Sequence, residues 1–258
     1  MSPVGSVAVA DATPSSQDQP VLECRSVTRR FAGMVAVDSI SLRVAEGELL
    51  GIIGPNGAGK TTLFNLLTGQ LKPNGGGEVF FRGRDITRLS VHQRVKAGLG
   101  RTFQIVRPLP ELTVLENTMM GAFLRHPRRA AAERAAAAVL ERVGLAHASA
   151  VRARDLPLPG RKRLEVARAL ATEPVVLLLD EVMAGLNSTE IGAATDLFRQ
   201  INADGTTLVL IEHNLKVVRT LTKRVIVLDH GLQLAEGTPS EVLEHPDVVR
   251  AYLGNRKG

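Results

Sequence analysis

The chain predicts an α/β fold, for three reasons: short apolar strands alternate with helices along most of its length, a glycine-rich turn joins one such strand to a helix, and a second apolar strand ends in paired carboxylates. Runs of Val, Leu, Ile and Phe place strands at residues 21–27, 40–44, 49–53 and 78–81. A helix opens after the third strand, over 62–67, and the Gly/Pro-rich loop 72–77 separates it from the fourth. Strand signals vanish between about 107 and 156, where the Ala-rich stretch 130–143 reads as helix, so a helical insertion is expected there. Alternation then resumes: helix 161–171, strand 175–179, helix 188–203, strand 207–211, helix 215–221, and strands 225–228 and 232–235. The stretch 239–253 has helical periodicity, and no internal repeat is visible.

These elements suggest a disordered tail over 1–20, one domain over 21–254 with a helical subdomain at about 107–160, and a short tail over 255–258. The first twenty residues lack the basic start and long apolar centre of a signal peptide. No apolar run approaches the roughly 20 residues that span a bilayer. Aromatics make up 3% of the 258 residues, so aliphatic side chains must build the core. The single cysteine, Cys24, forms no internal disulfide and fits a reducing compartment. A formal net charge of +6 admits a nucleic-acid partner. Arg and Glu are interspersed over 128–142, however, which favours solvated helix faces and attraction to anionic headgroups. No nucleic acid is expected.

Gly54, Pro55, Asn56, Gly57, Ala58, Gly59, Lys60 and Thr61 fit the P-loop pattern, in which a glycine and four residues precede Gly-Lys-Thr. The strand before it and the helix after it are the context that the motif requires. Backbone N–H groups of such a loop wrap phosphates, and the helix N-terminus adds positive partial charge. Lys60 is expected to reach the β- and γ-phosphates of ATP, and the Thr61 hydroxyl to coordinate Mg²⁺. Strand 175–179 then delivers Asp180 and Glu181 at its carboxyl end, the edge where ligands sit in parallel sheets. Asp180 is suited to orient Mg²⁺, and Glu181 to act as general base on the attacking water. An acidic pair can also simply mark a turn; the P-loop upstream favours the catalytic reading. Strand 207–211 ends in Glu212-His213, where the histidine either lies at the surface or hydrogen-bonds the γ-phosphate.

Together these motifs resemble the ABC ATPase family over nearly the whole chain. The resemblance implies a P-loop ABC ATPase core with an antiparallel β subdomain and a helical insertion. Residues 54–62, ending in Thr62, look like Walker A, and 177–181 look like Walker B with its catalytic glutamate. Arg101-Thr102-Phe103-Gln104 looks like the Q-loop, which makes Gln104 a contact for Mg²⁺ and the attacking water. By the same resemblance His213 is the switch histidine, and Asn187 holds the D-loop position, where the family usually carries Asp. Phe31 is the candidate for stacking on adenine; its other reading is a core residue.

One motif departs from the family. The Leu-Ser-Gly-Gly-Gln signature, which contacts the γ-phosphate held by the partner subunit, aligns with Leu156, Pro157, Leu158, Pro159 and Gly160. Proline removes N–H donors there. A heterodimer with a second ATPase subunit that carries an intact signature is therefore expected; the alternative is that backbone donors near Gly160 suffice and the substitution is almost silent.

Residues 31–38, 101–104, 235–239 and 251–254 resemble ATPase subunits of branched-chain amino acid importers, and urea and short-amide importers look similar. The implied partners are transmembrane permease subunits, docking around residues 104–116, and an extracytoplasmic solute-binding protein. The implied place is cytoplasmic, peripheral on the inner face of the membrane. The alternatives are the ATPase of a lipid or lipopolysaccharide exporter, or a soluble ABC ATPase acting on ribosomes or nucleic acid.

Overall fold

A computed structural model describes residues 19–102 and 108–254, with the backbone alone for the last two. Phe103 and Gln104 lie outside the described residues, as do most of the 1–20 tail and all of 255–258.

Two sheets organise the chain. Strands β1 (Leu22–Phe31) and β2 (Met34–Val44) form a long antiparallel hairpin. Its turn, Ala32-Gly33, has positive φ at both residues (43° and 89°), the two-residue geometry that matches strand twist. With β4 (Glu78–Phe81) and the short β5 (Arg84–Asp85), the hairpin makes a four-stranded antiparallel sheet. The second sheet has the order β10 (Leu232–Gly237), β9 (Arg224–Asp229), β3 (Leu49–Ile53), β8 (Thr207–Ile211), β7 (Val176–Asp180), β6 (Leu99–Arg101). It is parallel except for the β9–β10 pair. Strands β3, β7 and β8 are buried at every position, as parallel strands covered on both faces require.

Helix α1 (Lys60–Thr68) buries Leu63, Phe64, Leu66 and Leu67 between the two sheets. Helix α2 (Val91–Ala97) carries a capping box of Ser90 and Gln93. The insertion contains α3 (Val114–Ala122) and α4 (Arg129–Arg142), which pack with α5 (Leu158–Leu170) around Ala132, Ala136, Leu140 and Leu164. Helices α6 (Ser188–Ala203) and α7 (Leu215–Leu221) follow β7 and β8. The C-terminal helical stretch is two helices, α8 (Pro239–Glu244) and α9 (Pro246–Gly254), because Pro246 cannot continue the ladder through His245.

The expected helix at 161–171 starts earlier, at Leu158, so three of the five residues set against the signature lie inside the first turn of α5. Cys24 is buried, and burial pushes its thiol up to about 12, leaving it a packing residue.

Candidate functional site

Every strand that carries a motif in the parallel sheet delivers it to the same carboxyl-terminal edge. Strand β3 runs into Gly54, β7 ends at Asp180, and β8 runs into Glu212 and His213. Because β7 pairs with β8 in register, Asp180 lies opposite Ile211.

The loop between β3 and α1 depends on two glycines. Gly54 has φ 149°, and a Cβ there would come within 2.0 Å of the Leu228 carbonyl oxygen. Gly59 has φ 100°, and its Cβ would meet the Ala36 carbonyl oxygen at 2.3 Å. Any side chain at either place would displace backbone, so the loop can hold this course only with glycine. Lys60 is buried, and its Nζ donates to the carbonyl oxygens of Gly54 (2.7 Å) and Pro55 (2.9 Å). Burial depresses its pKa, while the charges of Glu181 and Asp180 work the other way.

Residues 56–62 and Glu181 line one cavity of about 400 Å³, which Phe31, Met34 and Ala36 of the β1–β2 hairpin wall on the far side. Phe31 is therefore not a core residue. It is 37% exposed, its neighbour across the turn, Met34, is 67% exposed, and the Arg29 guanidinium lies 4.7 Å from the Phe31 ring centre.

At the opposite wall, Glu181 adopts a left-handed backbone (φ 48°), unusual outside glycine. Its Oε1 lies 2.5 Å from His213 Nε2, which joins the carboxylate and the histidine from neighbouring strands. Asp180 is buried, and its Oδ2 accepts from Arg101 at 2.6 Å. The other oxygen, Oδ1, is buried with no hydrogen-bond partner among the described residues. Burial raises the Asp180 pKa and Arg101 opposes that rise. Arg101 also donates to Asn65 Oδ1 at 2.6 Å, so one guanidinium joins the stem of the Q-loop segment to both α1 and Asp180. Sequence pattern placed Arg101 only in a motif and missed this bridge; a lone Arg after two small-strand residues carries no distinguishing signal.

Pro157 caps α5 and Pro159 falls in its first turn, with no side-chain cap. The first N–H drawn into the helix is that of Arg161, bonded to Pro157 O at 3.0 Å. The Leu158 and Gly160 amides precede it, and Pro159 has none. Asn187 caps α6 in a capping box with Glu190.

The sequence reading also passed over Glu212. It is 4% exposed, its Oε1 accepts the Met183 N–H at 3.1 Å, and burial pushes its carboxyl up to about 7 from an ordinary 4.5. The folded protein thus holds a proton that the unfolded chain releases above about pH 4.5. This contribution to stability is full below that pH and is lost as pH rises through about 7. Urea unfolding of the wild type should show stability falling between about pH 5 and pH 8, and Glu212→Gln should flatten that fall, an effect on the order of 1–3 kcal/mol. An identical slope in the variant would refute the assignment.

A glycine-rich strand-to-helix loop with two carboxylates on a neighbouring strand end defines a P-loop nucleotide-binding protein. Residues 37–184 match the family model described as ABC transporter, and residues 233–257 match that described as branched-chain amino acid ATP-binding cassette transporter. Over 252 residues the chain is 42% identical to the high-affinity branched-chain amino acid transport ATP-binding protein LivG of Salmonella typhimurium, an alignment covering 92% of this chain and 98% of that one. The corresponding protein BraF of Pseudomonas aeruginosa is 38% identical over 254 residues, with 92% and 98% covered. A nucleotide-free ATP-binding cassette from an ABC transporter matches with a TM-score of 0.81 and 32% identity, covering 91% of this chain and 99% of that one. Another such cassette, in its ADP conformation, gives 0.83 at 32% identity, with 92% and 99% covered. The chain belongs to the ABC transporter family. Within it, the chain is an ATP-binding cassette, the ATP-hydrolysing subunit rather than the membrane channel. Among the described residues no helix is long and apolar enough to cross a membrane.

Proposed function

We propose that this chain hydrolyses MgATP at the P-loop cavity and thereby powers import of branched-chain amino acids through membrane permeases. The observation that carries the chemistry is the Glu181–His213 pair, 2.5 Å apart, with Glu181 lining the same cavity as the P-loop. The match at 233–257 and the names of the LivG and BraF relatives favour this solute class over a lipid exporter or a ribosome-acting ATPase.

The roles follow from position. Residues 54–62 offer backbone N–H groups to the phosphates, Lys60 turns from its own loop carbonyls to the β- and γ-phosphates, and Phe31 stacks on adenine. Glu181 accepts a proton from the attacking water, and His213 holds Glu181 and the γ-phosphate in one arrangement. The donor set fits Mg²⁺: Asp180 Oδ1 is a buried oxygen lacking a partner among the described residues, and the Thr61 hydroxyl and Gln104 would complete the set. When bound, Mg²⁺ neutralises charge on the β- and γ-phosphate oxygens. Residues 21–254 form the ATPase domain, with 107–160 as the helical subdomain that meets the permease. The protein works on the inner face of the membrane, with a solute-binding protein on the outer side.

Reconstituted with its permeases, the chain should support ATP-dependent uptake of labelled leucine, isoleucine and valine. Uptake of urea or short amides instead would overturn the solute class. Co-purification with ribosomes or DNA and not with membrane proteins would overturn transport.

The second ATPase is expected to be a different chain. Two head-to-tail copies of this one would each present Pro157, Leu158, Pro159 and Gly160 to the partner's γ-phosphate, with only the Leu158 and Gly160 amides as donors in that first turn. A lost charge-assisted contact is worth roughly 1.5–3 kcal/mol, enough to shift a nucleotide-dependent dimer. Asn187 would face that interface at the D-loop position. The chain alone should bind ATP yet dimerise poorly, and Pro159→Gly with Gly160→Gln should raise both ATP-dependent dimerisation and turnover. A wild-type homodimer already fully active, and unchanged by that double substitution, would refute the asymmetry.

A further inference from the structure

Two buried ionisable side chains that take no part in the steps above sit on either side of the turn after Glu181. Lys162, 8% exposed and in the second turn of α5, donates from Nζ to the Glu181 carbonyl oxygen at 3.4 Å. Glu212, on the other side, accepts the Met183 N–H at 3.1 Å. Burial lowers the Lys162 pKa and raises that of Glu212, and the attraction between the two works against both shifts. The turn that they grip holds Glu181 in its left-handed conformation, a state unfavourable for a non-glycine residue that persists only where its surroundings enforce it. Glu212 also directly precedes His213, so the same carboxylate borders both members of the Glu181–His213 pair.

Lys162 gives this grip a direction. It lies on α5, two residues after Gly160, and that helix presents the Leu158 and Gly160 amides at its N-terminus. We propose that Lys162 and Glu212 are positioning residues that fix the Glu181 turn to α5, so that engagement of the α5 N-terminus with the partner subunit's nucleotide sets the geometry of this chain's own hydrolytic carboxylate. The inference rests on the reading of Glu181 as general base and of residues 157–160 as the signature segment. Its physical content is a short path from the first turn of α5 through the Lys162 Nζ contact to the Glu181 backbone carbonyl. A misplacement of about 1 Å in such a group can cost about 10²-fold in rate.

The test uses the chain purified with its transporter partners, measuring turnover together with ATP affinity by direct titration. Lys162→Met should lower kcat about 10- to 100-fold while ATP affinity and melting temperature stay within about twofold and a few degrees of wild type. Lys162→Arg should restore most of the rate, since a guanidinium can still donate to the carbonyl oxygen. Glu212→Gln, which keeps an acceptor for Met183, should lose less than Glu212→Leu. Combining Lys162→Met with Glu212→Leu should cost little more than the worse single change, because both release the same turn. Glu181→Gln is the control: if it turns over like wild type, the reading of the site itself fails. If Glu181→Gln is inactive while Lys162→Met and Glu212→Leu keep wild-type kcat, the positioning proposal alone is overturned. Equal losses in affinity, melting temperature and kcat would likewise overturn it, assigning the two side chains to packing.

Discussion

Glu181→Gln is expected to leave ATP binding intact and to lower turnover by about 10²-fold or more. The amide is isosteric, so it can hold the attacking water and still meet His213 across the 2.5 Å contact, with one nitrogen or the other donating. What it cannot do is accept the proton. The backbone should tolerate the change, because the left-handed φ of residue 181 is imposed by the turn and by the N–H bond from Glu181 to the Ile211 carbonyl at 3.0 Å, not by the carboxylate. Binding should even outlast the wild type's, since the nucleotide is no longer consumed. Stopped turnover with undiminished titration of ATP is the expected pair of results, and wild-type turnover in the assembled transporter would remove Glu181 from its role.

The parts of the site legible in sequence are those that one strand carries by itself. Strands β3, β7 and β8 are each five buried residues long, and such apolar runs end where a polar or glycine residue takes over. Their ends therefore place Gly54, Asp180 and His213 at one sheet edge from the sequence alone. Short elements escaped for the opposite reason. Strand β6 is three residues, Leu-Gly-Arg, and β5 only two, too few for any period to register. The β1–β2 hairpin extends beyond the apolar residues because Arg30 and Phe31 are exposed and Arg29 is half-buried while their backbones still pair. Helix α2 did carry a readable signal, Ser90 followed by Gln93, which its brevity concealed. The contacts that sequence could not supply are tertiary: Arg101 on Asp180 joins residues 79 apart, and Glu212 on Met183 joins residues 29 apart. Nothing in either local pattern names the other member.

Lys60→Ala is expected to weaken ATP binding at least about 10- to 100-fold, from the loss of a charge-assisted contact worth roughly 1.5–3 kcal/mol. The ammonium is already spent in part on the loop's own carbonyls, Gly54 O and Pro55 O, so ATP must draw it away from these partners. That exchange favours the nucleotide, because two phosphates carry full charge where the carbonyls carry partial charge. Burial works in the same direction: it depresses the pKa of Lys60, and a polyphosphate beside it would restore the charged form. Lys60→Ala also takes the side-chain donor from the Gly54 carbonyl and leaves Pro55 O with the Ala58 N–H at 3.2 Å, so the empty loop itself should loosen. The affinity loss should therefore exceed that of Lys60→Arg, which keeps a cation and donors at nearly the same reach. Direct titration with a slowly hydrolysed ATP analogue separates binding from turnover. Undiminished affinity in Lys60→Ala would mean that the phosphates lie elsewhere than in the loop between β3 and α1.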